Sequence, residues 1–156
     1  MNNAKKALLW ITDILNKHHI PFQISGGLAA ITYGATRFLV DIDIDIPDEK
    51  FDVIKNEVVK YIIYGPERFK SDKWDLLLMT LNYYGQEIDL SGVDSACLFN
   101  QQTGKWGMLN EKIQEATIRK VYDLDMPIIP REKLIDYKKI LGRDVDLIDI
   151  AQIENS

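Results

Sequence analysis

Two hydrophobic periods organise the chain. Near the start, Ala4, Ala7, Leu8, Ile11, Ile14 and Leu15 recur at the three-and-four spacing of a helix with one buried stripe. Pro21 stops that helix after His18–His19. Residues 38–47, FLVDIDIDIP, alternate instead at the period of a strand: Asp41, Asp43 and Asp45 share one face, Ile42, Ile44 and Ile46 the other. Between these stretches, PFQIS predicts a short strand stopped by Gly26–Gly27, and GLAAITYG a helix with Gly34 as its C-terminal cap. PDEKFDVIKNEVVKYI predicts a helix capped by Asp48, with Phe51, Ile54, Val58 and Tyr61 on its apolar stripe.

YGPERFKSDK has the composition of a polar loop. WDLLLMTLNYYGQEIDLSG then predicts two strands joined by a tight turn around Tyr84–Gly85, with Glu87 and Asp89 on one face of the second. VDSACLFNQQTGKWGMLNEK carries no clear period. ATIRKVYDLDMPIIP predicts another strand pair turning near 123–125. Two closing helices follow, PREKLIDYKKIL with Pro130 at its first position, and RDVDLIDIAQI after Gly142. The expected architecture is α/β (α+β): a mixed β-sheet with helices on the face opposite the carboxylates. We expect one domain over 1–156, ending in a helical segment at 130–153.

Composition narrows the class. A chain of 156 residues, 46% hydrophobic and 28% charged, suits a globular core. The net charge of −5 argues against a duplex DNA or RNA binder. Cys97 is the single cysteine, so no intramolecular disulfide forms, and it is expected to be a buried small hydrophobe. No apolar run reaches membrane-spanning length, and the N-terminal stretch lacks a cleavage pattern, so a cytoplasmic protein is expected.

The aspartate row needs a reason. Carboxylates roughly 6.5–7 Å apart on one strand face repel by about 2.5 kcal/mol at an effective dielectric of 20. Alone, the row fits a solvated face. Two features shift that balance. Ser25-Gly26-Gly27 lies between a strand and a helix, where backbone can approach an anion. Asp89 lies on a strand able to neighbour the first. Three carboxylates from adjacent strands can surround Mg²⁺, which keeps phosphate oxygens among its ligands, and two such ions can serve displacement at phosphorus. Asp45 is expected to face solvent at the strand end, and Glu87 is a substitute third ligand. Trp10, Trp74 and Trp106 are expected in the core or a cleft wall, with an acceptor pocket the alternative for Trp106. Residues 68–73 are expected to be a solvated loop, with phosphate contact the alternative. His18 and His19 fit capping or solvation.

ISGGLAAITYGATRFLVDIDIDI resembles the signature of the DNA-polymerase-β-like nucleotidyltransferase superfamily, in particular its lincosamide-type and toxin-associated minimal members: a Gly-Gly turn, a short helix, then R-x-x-x-D-h-D-h. IIPREKLIDYKKILGRDVDLIDI echoes the C-terminal pattern. Leu39 stands where the family usually has threonine or another small polar residue. The resemblance implies a nucleotidyltransferase fold and transfer of a nucleoside monophosphate, usually AMP from ATP, to a hydroxyl or similar acceptor on a small molecule, tRNA or protein. It implies Asp41, Asp43 and Asp89 as the carboxylates that hold two Mg²⁺ ions, with Asp89 as or beside the base. It implies Ser25, Gly26, Gly27, Arg37 and Lys138 as nucleotide contacts, Lys138 being otherwise a solvated surface lysine. The short chain motivates an alternative: a non-catalytic protein of the same fold, a toxin–antitoxin component or regulatory nucleotide binder. A homodimer fits either.

Overall fold

The alternating stretch forms strand β2 (Asp41–Ile46) at the centre of the computed structural model, which describes residues 3–109 and 111–156. In chain order the described residues form α1 (Asn3–Lys17), β1 (Gln23–Ser25), α2 (Gly26–Thr32), β2, α3 (Phe51–Val58), β3 (Ile62–Lys70), β4 (Trp74–Tyr83), β5 (Gln86–Gly92), β6 (Cys97–Asn100) and β7 (Lys105–Met108). They continue with β8 (Thr117–Val121), β9 (Leu124–Ile128), α4 (Arg131–Leu141) and α5 (Asp144–Glu154). The strands make one mixed sheet in the order β7-β6-β4-β5-β2-β1-β9-β8, with β3 paired to β4. β2 runs parallel to β5, and β1 parallel to β9; the remaining pairs are antiparallel.

Rows across the sheet explain the alternation. Ile24, Ile44, Leu90 and Met79 are register partners across β1, β2, β5 and β4, and all four are fully buried. They join the stripe of α1 (Ala7, Leu8, Ile11, Leu15) and of α3 (Phe51, Ile54, Val58) in one core. Each buried isoleucine contributes roughly 1.5–3 kcal/mol, so Ile42, Ile44 and Ile46 together offset a repulsion of the same order on the other face. The neighbouring row on that other face is Ser25, Asp43, Asp89 and Thr80.

The β4–β5 and β8–β9 hairpins turn on left-handed pairs, Tyr84–Gly85 and Tyr122–Asp123, the geometry that matches strand twist in two-residue loops. Asn82 Oδ1 accepts from the Gly85 amide at 2.7 Å. Gly142, at φ +61°, ends α4. No helix among the described residues is long and apolar enough to cross a membrane.

Several local expectations are corrected. Residues 64–70 of the expected loop are strand: β3 follows β4 through two register shifts, and that pairing outweighs the local turn signal of Gly65–Pro66. The unreadable middle holds the β6–β7 hairpin. Asp48 does not cap α3. Its carboxylate accepts from the Asp94 amide and from Ser95 Oγ, tying two loops together. Pro130 is the residue before α4 rather than its first, and Cys97 is half-buried.

Candidate active site

The ladder β2–β5 sets Asp43 directly beside Asp89, and Asp41 beside Glu87. From that register, Asp41, Asp43 and Asp89 can each place one carboxylate oxygen within 4.8 Å of the others, all three partly exposed. This set fits a divalent cation: hard oxygens, concentrated negative charge and a common face. Thr80 Oγ1 donates to Asp89 Oδ1 at 2.6 Å and fixes its orientation.

The electrostatics record the crowding. Burial, then the charges of Asp41, Asp89 and Asp45, push the Asp43 carboxyl well above the usual range, and the Gly27 amide bond only partly offsets them. Burial pushes Asp89 up to about 6, with Asp41 and Glu87 adding to it while the Thr80 hydroxyl opposes.

Gly26 and Gly27 fit tightly around this charge. Gly26 has φ +59°, a left-handed conformation, and a Cβ there would lie 2.0 Å from Asp43 Oδ2. A Cβ on Gly27 would lie 2.7 Å from Arg37 Nη2. The glycine turn therefore packs between Asp43 and Arg37 with backbone alone. Ser25 points elsewhere: its hydroxyl donates to Asp45 Oδ1 at 3.2 Å.

Asp45 is not the solvent-facing residue the sequence predicts. It is 7% exposed, bonded by Gln23 Nε2 at 2.9 Å as well as by Ser25, and raised to about 6 by burial. β1 pairs with this end of β2, and the Gln23 and Ser25 side chains cover the Asp45 carboxylate. Glu111 stands nearby on the same cavity; burial, reinforced by Asp45, raises it to about 7.

The solvated-surface expectation for Lys138 also fails. It is 1% exposed, with its ammonium 3.3 Å from Asp146 Oδ1 and 3.0 Å from Asp149 Oδ2. Arg37 Nε lies 3.2 Å from Asp149 Oδ1. Arg143 donates to Asp146 through Nε and Nη2. Burial works to raise Asp146, but Arg143 and Lys138 hold it below the ordinary value. Three cations thus face two buried carboxylates, leaving positive charge opposite the acidic row.

Both groups line one cavity of about 380 Å³. It contains every site residue singled out from the sequence: Ser25, Gly26, Gly27, Arg37, Asp41, Asp43, Asp89 and Lys138. Its apolar wall includes Trp74, Leu76, Leu78, Val93, Leu98 and Leu109. Trp74 Nε1 donates to the Tyr137 hydroxyl at 3.0 Å, and the Arg143 guanidinium covers the Trp74 ring at 5.2 Å. Burial raises the Tyr137 hydroxyl, so it stays protonated. Trp106 is not among the cavity residues. The guanidinium of Arg68, in the basic stretch, is taken up by Asp75 and Ser95. Glu87 lies outside the three-carboxylate group. His18 bonds Glu57 at 2.8 Å.

Sequence reasoning did not single out Thr80, Glu111, Arg143, Asp146 or Asp149 as site residues. Thr80 had a signal, since counting back from the two-residue turn puts it opposite Asp89. Glu111 had none, lying in irregular chain.

No protein-family profile matches the sequence, and no curated protein sequence matches it. Solved structures do. TM1012 of Thermotoga maritima, provisionally assigned as a nucleotidyltransferase, superposes with TM-score 0.74 at 16% identity over 97% of this chain and 92% of that one. The lincosamide antibiotic adenylyltransferase LnuA, solved with lincomycin, gives 0.64 at 17% identity over 99% and 98%. ANT(2″)-Ia, solved with adenylyl-2″-tobramycin, gives 0.63 at 12% identity over 99% and 89%. At these identities the likeness establishes architecture, and this chain has the nucleotidyltransferase fold.

Proposed function

We propose that this protein is a metal-dependent nucleotidyltransferase that moves a nucleoside monophosphate, AMP from ATP in the first instance, onto a hydroxyl of a small molecule. The observation that carries this reading is the group Asp41, Asp43 and Asp89, gathered from two adjoining strands against the Gly26–Gly27 turn. The fold shared with two adenylyltransferases supports it. Residues 1–156 act as one domain ending in the helical segment 130–153.

Asp41, Asp43 and Asp89 would hold two Mg²⁺ ions, which when bound supply charge neutralisation at the reacting phosphates. Arg37 and Lys138, with the amides of Gly26 and Gly27 and the Ser25 hydroxyl, take the outer phosphates. Ser25 and Gly27 exchange their present carboxylate partners for phosphate oxygens. Asp89, oriented by Thr80, receives the acceptor proton. The acceptor oxygen bonds to the α-phosphorus as the α–β bridging bond breaks, and pyrophosphate leaves with the bridging oxygen. The fixed cations around Arg37 and Lys138 need no reorganisation as charge moves toward the leaving group.

The cavity bears on the acceptor. A space of about 380 Å³ with an apolar wall has the dimensions of a small-molecule site, and the net charge of −5 opposes RNA. The experiment is to incubate the protein with α-labelled ATP, Mg²⁺ and fractionated cell extract. Label is expected in the small-molecule fraction, and Asp41→Asn and Asp43→Asn are expected to remove it. Label in RNA or protein would overturn the acceptor class, and failure to bind ATP at millimolar concentration would overturn the nucleotide reading. Binding without transfer to any fraction would leave a regulatory nucleotide binder.

A further inference from the structure

The C-terminal helix grips the segment that carries Arg37. Asp149 and Gln152 lie on one face of α5, and Ser156 follows just beyond its end. Ser156 Oγ donates to the Tyr33 carbonyl at 2.7 Å. Gln152 Oε1 accepts from the Thr36 amide at 2.8 Å, and its Nε2 donates to Thr36 Oγ1 at 2.9 Å. Asp149 Oδ1 meets Arg37 Nε at 3.2 Å. Three contacts therefore follow the chain from residue 33 to residue 37 and end at the cation beside Gly27.

We propose that α5 is a positioning element for triphosphate binding, acting on Arg37 through Asp149 and Gln152. The proposal rests on the nucleotide reading above and adds residues which that reading does not use. Asp149 engages Arg37 at Nε, while Nη2 lies over Gly27, so the fork that pairs with phosphate faces the cavity. A free arginine gives up rotamer freedom when its ligand arrives; one already held at Asp149 and at Thr36 has less to lose. Asp149 is fully buried, and both of its oxygens are directed at cations, Oδ1 at Arg37 Nε and Oδ2 at Lys138 Nζ. Both cations line the cavity.

The test is a double-variant cycle read by calorimetry of ATP and of AMP, each with Mg²⁺. Asp149→Asn is expected to weaken ATP about tenfold, within the range of direct coupling energies, and AMP less than about twofold. Arg37→Gln should weaken ATP to a similar degree. In the Arg37→Gln background, Asp149→Asn should cost ATP less than it does alone, keeping only the part that passes through Lys138. Gln152→Ala, which leaves every charge in place, should give a smaller loss for ATP that also vanishes in that background. It decides the matter if melting curves show that Asp149→Asn does not fold. Additive effects, or equal weakening of ATP and AMP, would overturn the positioning role while leaving the nucleotide reading intact. No ATP binding by the unaltered protein would overturn both.

Discussion

A Cβ atom on Gly26 would stand 2.0 Å from Asp43 Oδ2 and 2.7 Å from its Cγ. The turn and the carboxylate occupy one another's space, so each depends on the other's shape. Gly26→Ala adds about 1–2 kcal/mol for a left-handed non-glycine residue and displaces Asp43 from the Asp41–Asp89 group. Because the carboxylate can swing, the protein should still fold. Displacement of a reacting group by about 1 Å costs about 10²-fold in rate. Nucleotide transfer should fall by that order while the melting temperature drops only a few degrees. Near-normal transfer by Gly26→Ala would show that Asp43 does not act from its present position.

Thr80 offers a finer probe of the same face. Its hydroxyl donates to Asp89 Oδ1 at 2.6 Å and holds the Asp89 proton affinity down. Thr80→Val keeps the shape and removes the donor. Loss of such an orienting bond costs about tenfold or more in metal affinity or activity. On the proposed two-metal reading, the Mg²⁺ concentration that gives half-maximal transfer should rise by that order in Thr80→Val, and Thr80→Ser should restore it.

How much of this was legible beforehand depended on the range of the interactions. The alternation of β2, the Gly26–Gly27 break and the α1 stripe are local patterns, and each produced its element. Asp89 could be placed because a two-residue turn at Tyr84–Gly85 sets the β4–β5 register. Asp45 was misjudged because its burial comes from Gln23 and Ser25 on β1, a neighbour that no spacing along β2 reveals. β3 was misread because Gly65–Pro66 and a run of charges look like loop until β4 supplies a partner. Asp146 and Asp149 look like ordinary helix-surface acids, and only the packing of α5 against α4 and Arg37 buries them.

Glu111 predicts a pH dependence of stability. Burial, then Asp45, raises it from an ordinary 4.5 to about 7, so the folded state holds its proton more tightly than the unfolded state does. The unfolded chain loses that proton first as pH rises, and stability falls between about 4.5 and 7, levelling above. Glu111→Gln removes the titration while keeping the shape. Melting temperatures across pH 4 to 8 should be similar for the two proteins at the acid end and diverge as pH rises, with the variant the more stable at pH 8. A constant difference across the range would mean that Glu111 titrates normally.

Lys138 gives the sharpest contrast between sequence and structure. As a solvated lysine on a terminal helix, it could be replaced at a cost within about 0.5 kcal/mol. In the fold it is 1% exposed and lies between Asp146 and Asp149, both fully buried. Removing one partner of a buried ion pair costs about 3–5 kcal/mol, because the remaining charge has neither water nor counterion. Arg143 still pairs with Asp146 and Arg37 with Asp149, which should hold the loss toward the lower figure. Lys138→Met, of similar length and apolar, should therefore lower the unfolding free energy by about 3 kcal/mol in urea titration. Added to a Lys138→Met background, Asp149→Asn should destabilise less than it does alone, since the charge it removes has already lost a counterion. A Lys138→Met protein as stable as the parent would mean that this ammonium is not held between the two aspartates.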